Sequence, residues 1–217
     1  MTLACRRDAS ASADHVAIGP RPDVLDQVRS EEINLAVWER SLHPALDRAI
    51  AGLDISALQD IRIVATPDEV PAAIEAAARG VIQGDGLTAL THDIGDLARR
   101  FADIMAIGTV EIRLERIVGN ACYKYHSDYV SIRLITTYLG LGTEWLGGDE
   151  LARLDAGAVL DRLVPRRLDR GDVGLFKGRS ATSRPIIHRS PPIAGTGAQR
   201  LLLVINPPPT DDLVHPA

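Results

Sequence analysis

Aromatic side chains are nearly absent from this sequence: two Trp, four Tyr and two Phe make up 4% of 217 residues. A core must therefore be built from Leu, Ile, Val and Ala, by area burial rather than ring stacking. Cysteine is equally sparse. Cys5 and Cys122 are too few for a disulfide framework, and a reducing compartment is expected. No apolar run reaches the roughly 20 residues that span a bilayer. Thr2-Leu3-Ala4-Cys5 has the outline of a lipoprotein cleavage site, but no basic or apolar segment stands before it, so a cytoplasmic protein is expected. Positive charge is not in excess either. With 24 Lys and Arg against 29 Asp and Glu, the formal charge is −5, which argues against nucleic-acid binding driven by overall charge.

What is present is ordinary globular composition, 46% hydrophobic and 24% charged, with length for one good core or a core plus a helical extension. Residues 1–20 are small and polar and read as a disordered tail. From 21 to 108 the pattern is helical. Leu25 and Val28, then Ile33, Leu35, Ala36, Trp38, Leu42, Leu46 and Ile50, recur at spacings of about three and four, as one buried helix face requires. Thr66-Pro67-Asp68-Glu69 reads as an N-cap, a proline in the first turn and early acids, opening a helix that runs through Arg79 to Gly80. A further helix is expected over Asp93 to Met105.

The period then changes. Glu111 to Ile117 alternates polar and apolar residues, as a half-buried strand does. Short strand-like runs follow at Ile132–Leu139, Val173–Phe176, Pro185–Ile187 and Leu201–Ile205, punctuated by glycine, which points to a sandwich, jelly roll or barrel over 109–206. Residues 207–217, opening on three prolines, form a C-terminal tail. The basic stretch Pro165 to Arg170 reads as a solvated hairpin.

His126-Ser127-Asp128 is the first feature with chemistry in it. On an extended segment, residues i and i+2 share a face, so both side chains can reach one metal. Two His and one carboxylate that leave three positions open form the facial triad of non-haem iron(II) oxygenases. Taken alone, His-x-Asp also describes a solvated surface turn. His188 is the best third ligand, because it ends the apolar run Ile186-Ile187; His15, His43, His92 and His215 lie in tails or helical territory.

The surroundings carry a resemblance. Val118 to Ile205 is similar to the catalytic core of the prolyl-4-hydroxylase-like branch of the 2-oxoglutarate and iron(II)-dependent dioxygenases. Tyr123 stands three residues before His126, and Gly119 lies one position further out than in the family. Arg133, Thr136, Tyr138 and Leu139 follow His-x-Asp. Gly142-Thr143-Glu144-Trp145 holds the expected residues in a different order. Pro165 precedes Gly171-Asp172 and an apolar strand ending in Phe176. Pro192-Ile193 comes four residues after His188, and Arg200 opens the last strand two residues later than the family spacing. The whole chain also looks like an uncharacterised bacterial family of unknown function.

The resemblance implies an α+β fold with a helical N-terminal layer on a C-terminal double-stranded β-helix. It implies Fe(II) on His126, Asp128 and His188, with 2-oxoglutarate as cosubstrate and an unspecified small molecule or peptide as substrate. Arg200 would grip the far carboxylate of 2-oxoglutarate, a task suited to a guanidinium fork; Arg189, Arg133 and Lys177 are its rivals. Tyr123 would donate a hydrogen bond to the cosubstrate. No nucleic-acid or membrane partner is expected. Two other readings stand beside this one. Cys122, four residues before His126, would complete a closed zinc site in a non-enzymatic sensor, although a small buried hydrophobe is the simpler reading of it. A vestigial barrel could instead bind a sugar or a protein through Trp145, Asp149 and Glu150.

Overall fold

The computed structural model describes residues 15–209 except 52 and 54. In chain order the regular elements are β1 (Val16–Gly19), β2 (Leu35–Trp38), α1 (Pro44–Ala51), β3 (Ile61–Ala65), α2 (Val70–Ala78), α3 (Gly84–Met105), β4 (Val110–Ile117), β5 (Ile132–Leu139), β6 (Glu144–Trp145), α4 (Gly148–Asp155), β7 (Arg166–Arg167), β8 (Val173–Lys177), β9 (His188–Arg189) and β10 (Arg200–Asn206). Seven strands form one sheet in the order β1-β2-β8-β5-β10-β4-β3, and three form a second in the order β7-β6-β9. Only the β1–β2 pair is parallel. No helix among the described residues is long and apolar enough to cross a membrane.

Alternation along the central strands gives the large sheet two different faces. Ile112, Leu114, Leu134, Tyr138, Leu201, Leu203 and Ile205 face α1, α2 and α3 and join their apolar sides in one core. Ile117, Ile135, Leu202 and Val204 face the other way and meet Trp145, Leu168, Ile186 and Ile193 in a second core between the two sheets. The helix α3 presents Leu87, Leu90, Ile94, Leu97 and Phe101 to the first core at the spacing of one helix face. It can approach α1 and α2 closely because Gly86 and Gly95 carry no side chain. A Cβ on Gly86 would lie 2.2 Å from Cβ of Ala49, and one on Gly95 would lie 2.7 Å from Cγ of Pro71. Asp93 on α3 ties the layer to the sheet by pairing with Arg40 and accepting the Tyr138 hydroxyl at 2.6 Å.

Several sequence-based expectations are corrected. The run around Leu35–Trp38 is a strand, not a helix face, and β3 also interrupts the expected helical stretch. Leu35, Ala36 and Val37 are all buried, since β2 lies between β1 and β8 with both faces covered. A strand buried on both faces loses its alternation and becomes indistinguishable from a helix segment by period. The expected tail contributes β1, while residues 1–14 and 210–217 lie outside the described residues. The helix expected from Asp93 begins at Gly84. The helix opened by Thr66 starts at Val70, and Glu69 folds back on the turn before it, its Oε2 accepting from the Thr66 amide at 3.0 Å and hydroxyl at 2.8 Å. Pro185–Ile187 is not a strand; pairing starts at His188. The helix α4, between the strands β6 and β7 of the small sheet, was not expected.

Candidate metal centre

After β4 the chain crosses to the second sheet. There His126 and His188 form an antiparallel bridge, exchanging backbone hydrogen bonds of 3.0 and 2.9 Å, and the Ser190 amide donates to the Cys122 carbonyl at 2.9 Å. The 122–126 segment thereby lies along β9, and both rings face the space between the sheets, with centroids 4.7 Å apart. The turn after Asp128 closes over the end of β8, where the Arg179 amide donates to the Asp128 carbonyl at 2.8 Å. Gly178 makes that closure possible, because a Cβ there would sit 2.2 Å from the Val130 carbonyl oxygen and 2.7 Å from that of Asp128.

One ligand atom each from His126, Asp128 and His188 lies within 4.8 Å of the others. Nδ1 of His126 is 2.8 Å from the Lys124 carbonyl, and Nδ1 of His188 is 3.1 Å from that of Ile186. A carbonyl can only accept, so each Nδ1 carries a proton and Nε2 is the ring nitrogen left to face the carboxylate. Both nitrogens do face it: His188 Nε2 is 3.3 Å from Asp128 Oδ2, and His126 Nε2 is 3.8 Å from Oδ1. Asp128 Oδ2 is buried without a hydrogen-bond partner. Two imidazole nitrogens facing a carboxylate with a buried, unsatisfied oxygen are reconciled by a proton or a cation, and the donor set suits a borderline divalent metal. Burial pushes the Asp128 carboxyl up, but His188, Arg133 and His126 together hold it below the ordinary aspartate value. It is an anion at neutral pH, as a ligand must be.

A cavity of about 110 Å³ adjoins these rings. Its large-sheet wall is Arg113, Glu115 and Ile117 of β4, Arg133 and Ile135 of β5, and Leu202 and Val204 of β10; Thr143, Ser190 and Cys122 complete it. Arg200 does not line the cavity but reaches its wall. It is fully buried and donates to Ser190 Oγ at 2.6 Å, to the Leu141 carbonyl at 2.6 Å and to Thr137 Oγ1 at 3.4 Å. All three partners are neutral, and among the described residues no carboxylate lies within ion-pair distance of Arg200. Burial lowers its guanidinium to about 10, against the pull of Glu144.

Its rivals are engaged. Arg189 pairs with Glu144 at 2.8 Å and covers the Tyr125 ring; Arg133 pairs with Asp128 at 2.6 Å; Lys177 donates to the Ser30 carbonyl at 2.7 Å, away from the cavity lining. Tyr123 is 41% exposed and does not line the cavity. Cys122 is exposed, at a left-handed φ of 49°, not a buried hydrophobe, and its thiol is outside the ligand cluster. Trp145 is buried in the second core under the Arg166 guanidinium, so it presents no binding surface. The sequence reading missed Arg113, whose Nε is buried without a partner on the cavity wall, and Ser190. The signal for both was the two-residue period, which puts Arg113 on one face with Glu111 and Glu115, and Ser190 with His188.

A larger cavity, about 640 Å³, lies at the same end of the second sheet, between α4 and the 179–187 segment. Ser127 and Ile187, whose neighbours in sequence are the metal-site residues, form part of its wall.

A family model described as a protein of unknown function, DUF1826, matches residues 19–206. Among curated proteins none matches. Solved structures similar to this chain include dioxygenase for auxin oxidation 1 from Arabidopsis thaliana in a binary complex with 2-oxoglutarate (11% identity, 88% of this chain and 91% of that one, TM-score 0.48). A Pseudomonas putida prolyl-4-hydroxylase (14%, 84% and 95%, TM-score 0.42) and the iron-bound HygX of Streptomyces hygroscopicus (11%, 87% and 87%, TM-score 0.44) are also similar.

Proposed function

For a chain that belongs to the DUF1826 family, whose description assigns no activity, we propose an iron(II)- and 2-oxoglutarate-dependent oxygenase that hydroxylates a C–H bond, built on a double-stranded β-helix. The observation that carries the reading is the convergence of His126 Nε2, His188 Nε2 and the unpartnered Asp128 Oδ2 beside a cavity backed by a buried arginine. The path of the chain supports the fold. It passes from β4 in the large sheet to the 122–126 segment beside β9, to β5 in the large sheet, to β6 and β7 in the small one, to β8, β9 and finally β10.

In this reading the three ligands hold iron on one face and leave three positions for cosubstrate and dioxygen. Bound iron and 2-oxoglutarate supply the oxidising chemistry; the protein supplies placement and exclusion of water. The carbonyls of Lys124 and Ile186 fix the two rings in the tautomer that presents Nε2. Arg200, with Ser190 and Thr137, offers a cation and two hydroxyls to the far carboxylate of the cosubstrate. The aliphatic wall of Ile117, Ile135, Leu202 and Val204 keeps the space between dry.

The test is anaerobic titration with iron(II), followed by 2-oxoglutarate, watching the visible charge-transfer band of the chelate. Wild type is expected to bind about one iron and to develop the band, while His126→Ala and Asp128→Ala do neither. Cys122→Ser should bind as wild type does. Tight zinc retention that depends on Cys122, with no band in iron-loaded protein, would replace the oxygenase with the zinc sensor.

A further inference from the structure

The second oxygen of the metal-site carboxylate is already taken. Arg133 donates from Nη1 to Asp128 Oδ1 at 2.6 Å and from Nε to Asn206 Oδ1 at 2.8 Å. Asn206 passes the contact on, donating from Nδ2 to Glu111 Oε2 at 2.7 Å, and Glu111 is gripped by Arg62 at 2.7 Å and by Arg113 at 3.0 Å. The register of the sheet builds this line. Asn206 is the cross-strand partner of Glu111, and the pairing of Ile205 with Leu134 puts Arg133 on its other side. Asn206 is 3% and Glu111 2% exposed, so the line is buried where it crosses the central strands. Its direction is unambiguous: a guanidinium only donates and a carboxylate only accepts, which leaves one way for the Asn206 amide to face.

We infer that Arg133, anchored through Asn206 and Glu111, is a positioning residue that confines Asp128 to one-oxygen ligation of the metal. Oδ1 faces a guanidinium held from behind, and a divalent cation on the same oxygen would face that positive charge at close range. Oδ2, the atom without a partner, is the one 3.3 Å from His188 Nε2. The consequence is a count of positions. Two imidazoles and one oxygen occupy three of six; a chelating carboxylate would occupy a fourth and leave too few for a two-point cosubstrate plus dioxygen. The inference rests on reading the site as an iron and 2-oxoglutarate centre, but the ligation mode is measurable without either.

The experiment uses cobalt(II) as probe, because the intensity of its visible bands follows coordination. Wild type, Arg133→Gln, Arg133→Lys and Asn206→Leu are titrated with cobalt, and the cobalt-loaded proteins with 2-oxoglutarate. Arg133→Gln should still take up cobalt with about wild-type affinity, with an altered band intensity. Its affinity for 2-oxoglutarate should fall about ten-fold or more. Arg133→Lys should recover part of both, since lysine keeps the charge without the fork. Asn206→Leu should shift both in the same direction by less. An unchanged cobalt spectrum and unchanged 2-oxoglutarate affinity in Arg133→Gln overturn the inference. So does a parallel loss of cobalt binding, 2-oxoglutarate binding and melting temperature, which makes Arg133 scaffold alone. Wild type that binds cobalt but no 2-oxoglutarate overturns the oxygenase reading instead, and the spectra of wild type and Arg133→Gln still decide the role of Arg133.

Discussion

Replacing Arg200 by methionine should stabilise the metal-free protein while disabling the proposed cosubstrate site. Arg200 is fully buried with neutral partners only, and burial lowers its guanidinium from the ordinary arginine value to about 10. At about 1.4 kcal/mol per pH unit, that gap disfavours the charged form by about 3 kcal/mol. For a base whose folded value is depressed, the sign is a penalty: it is fully present at neutral pH and is relieved only as pH rises through about 10 toward the ordinary arginine value. Methionine removes the charge at similar length. It also strips donors from the Leu141 carbonyl and Ser190 Oγ, at a cost of about 1–2 kcal/mol together, because the hydroxyl can turn and Leu141 is near water. The net expectation is a gain of about 1–2 kcal/mol in urea denaturation at neutral pH, or a few degrees in melting temperature. Affinity for 2-oxoglutarate should fall roughly 10- to 150-fold, since a charge-assisted contact of about 1.5–3 kcal/mol is lost. A variant less stable than wild type by about 2 kcal/mol or more, with 2-oxoglutarate binding intact, would refute the reasoning and make Arg200 a structural residue.

Two other predictions concern the buried polar contacts of the two layers. Tyr138→Phe deletes the hydroxyl that donates to Asp93 at 2.6 Å in a fully buried position; it should cost about 1.5–3 kcal/mol in urea denaturation, and a loss under about 0.5 kcal/mol would mean the helical layer is not tied to β5 at this point. Glu144 sits between Arg167 at 2.5 Å and Arg189 at 2.8 Å; burial pushes its carboxyl up, and the two arginines more than offset this, leaving it below 4.5. Its contribution to stability is present above 4.5 and lost as pH falls through its lowered folded value, so Glu144→Gln should melt lower at about pH 7 and converge with wild type once pH is below that value; parallel curves from neutral to acid pH would show that the pair contributes nothing.

Much of the site was legible because it is local. His126 and Asp128 share a face by strand period, and an apolar run ending in a histidine marks His188 without any knowledge of its partner. The strands β4, β5, β8 and β10 were legible for the same reason, since each has a run of apolar residues bounded by glycine, turn or charge. The tetrad Arg133–Asn206–Glu111–Arg113 was not. Asn206 lies 73 residues from Arg133 and 95 from Glu111 along the chain, and only the antiparallel register of β5, β10 and β4 puts them in one row. The exposure of Cys122 and Tyr123 was equally hidden, because a left-handed turn at Cys122 decides which way that segment faces.

The sequence by itself determined the residue types that can ligate a metal, the two-residue spacing that puts a pair of them on one face, and the change of period at the end of the long helix. These are properties of neighbours along the chain. The tertiary structure decided how the buried row from Arg133 to Glu111 is assembled, which of four basic residues is buried without an anion, and that Leu35–Trp38 is an interior strand. Each of these depends on long-range strand pairing and on what covers both faces of a segment, and burial on both faces removes the alternation by which a strand could have been read.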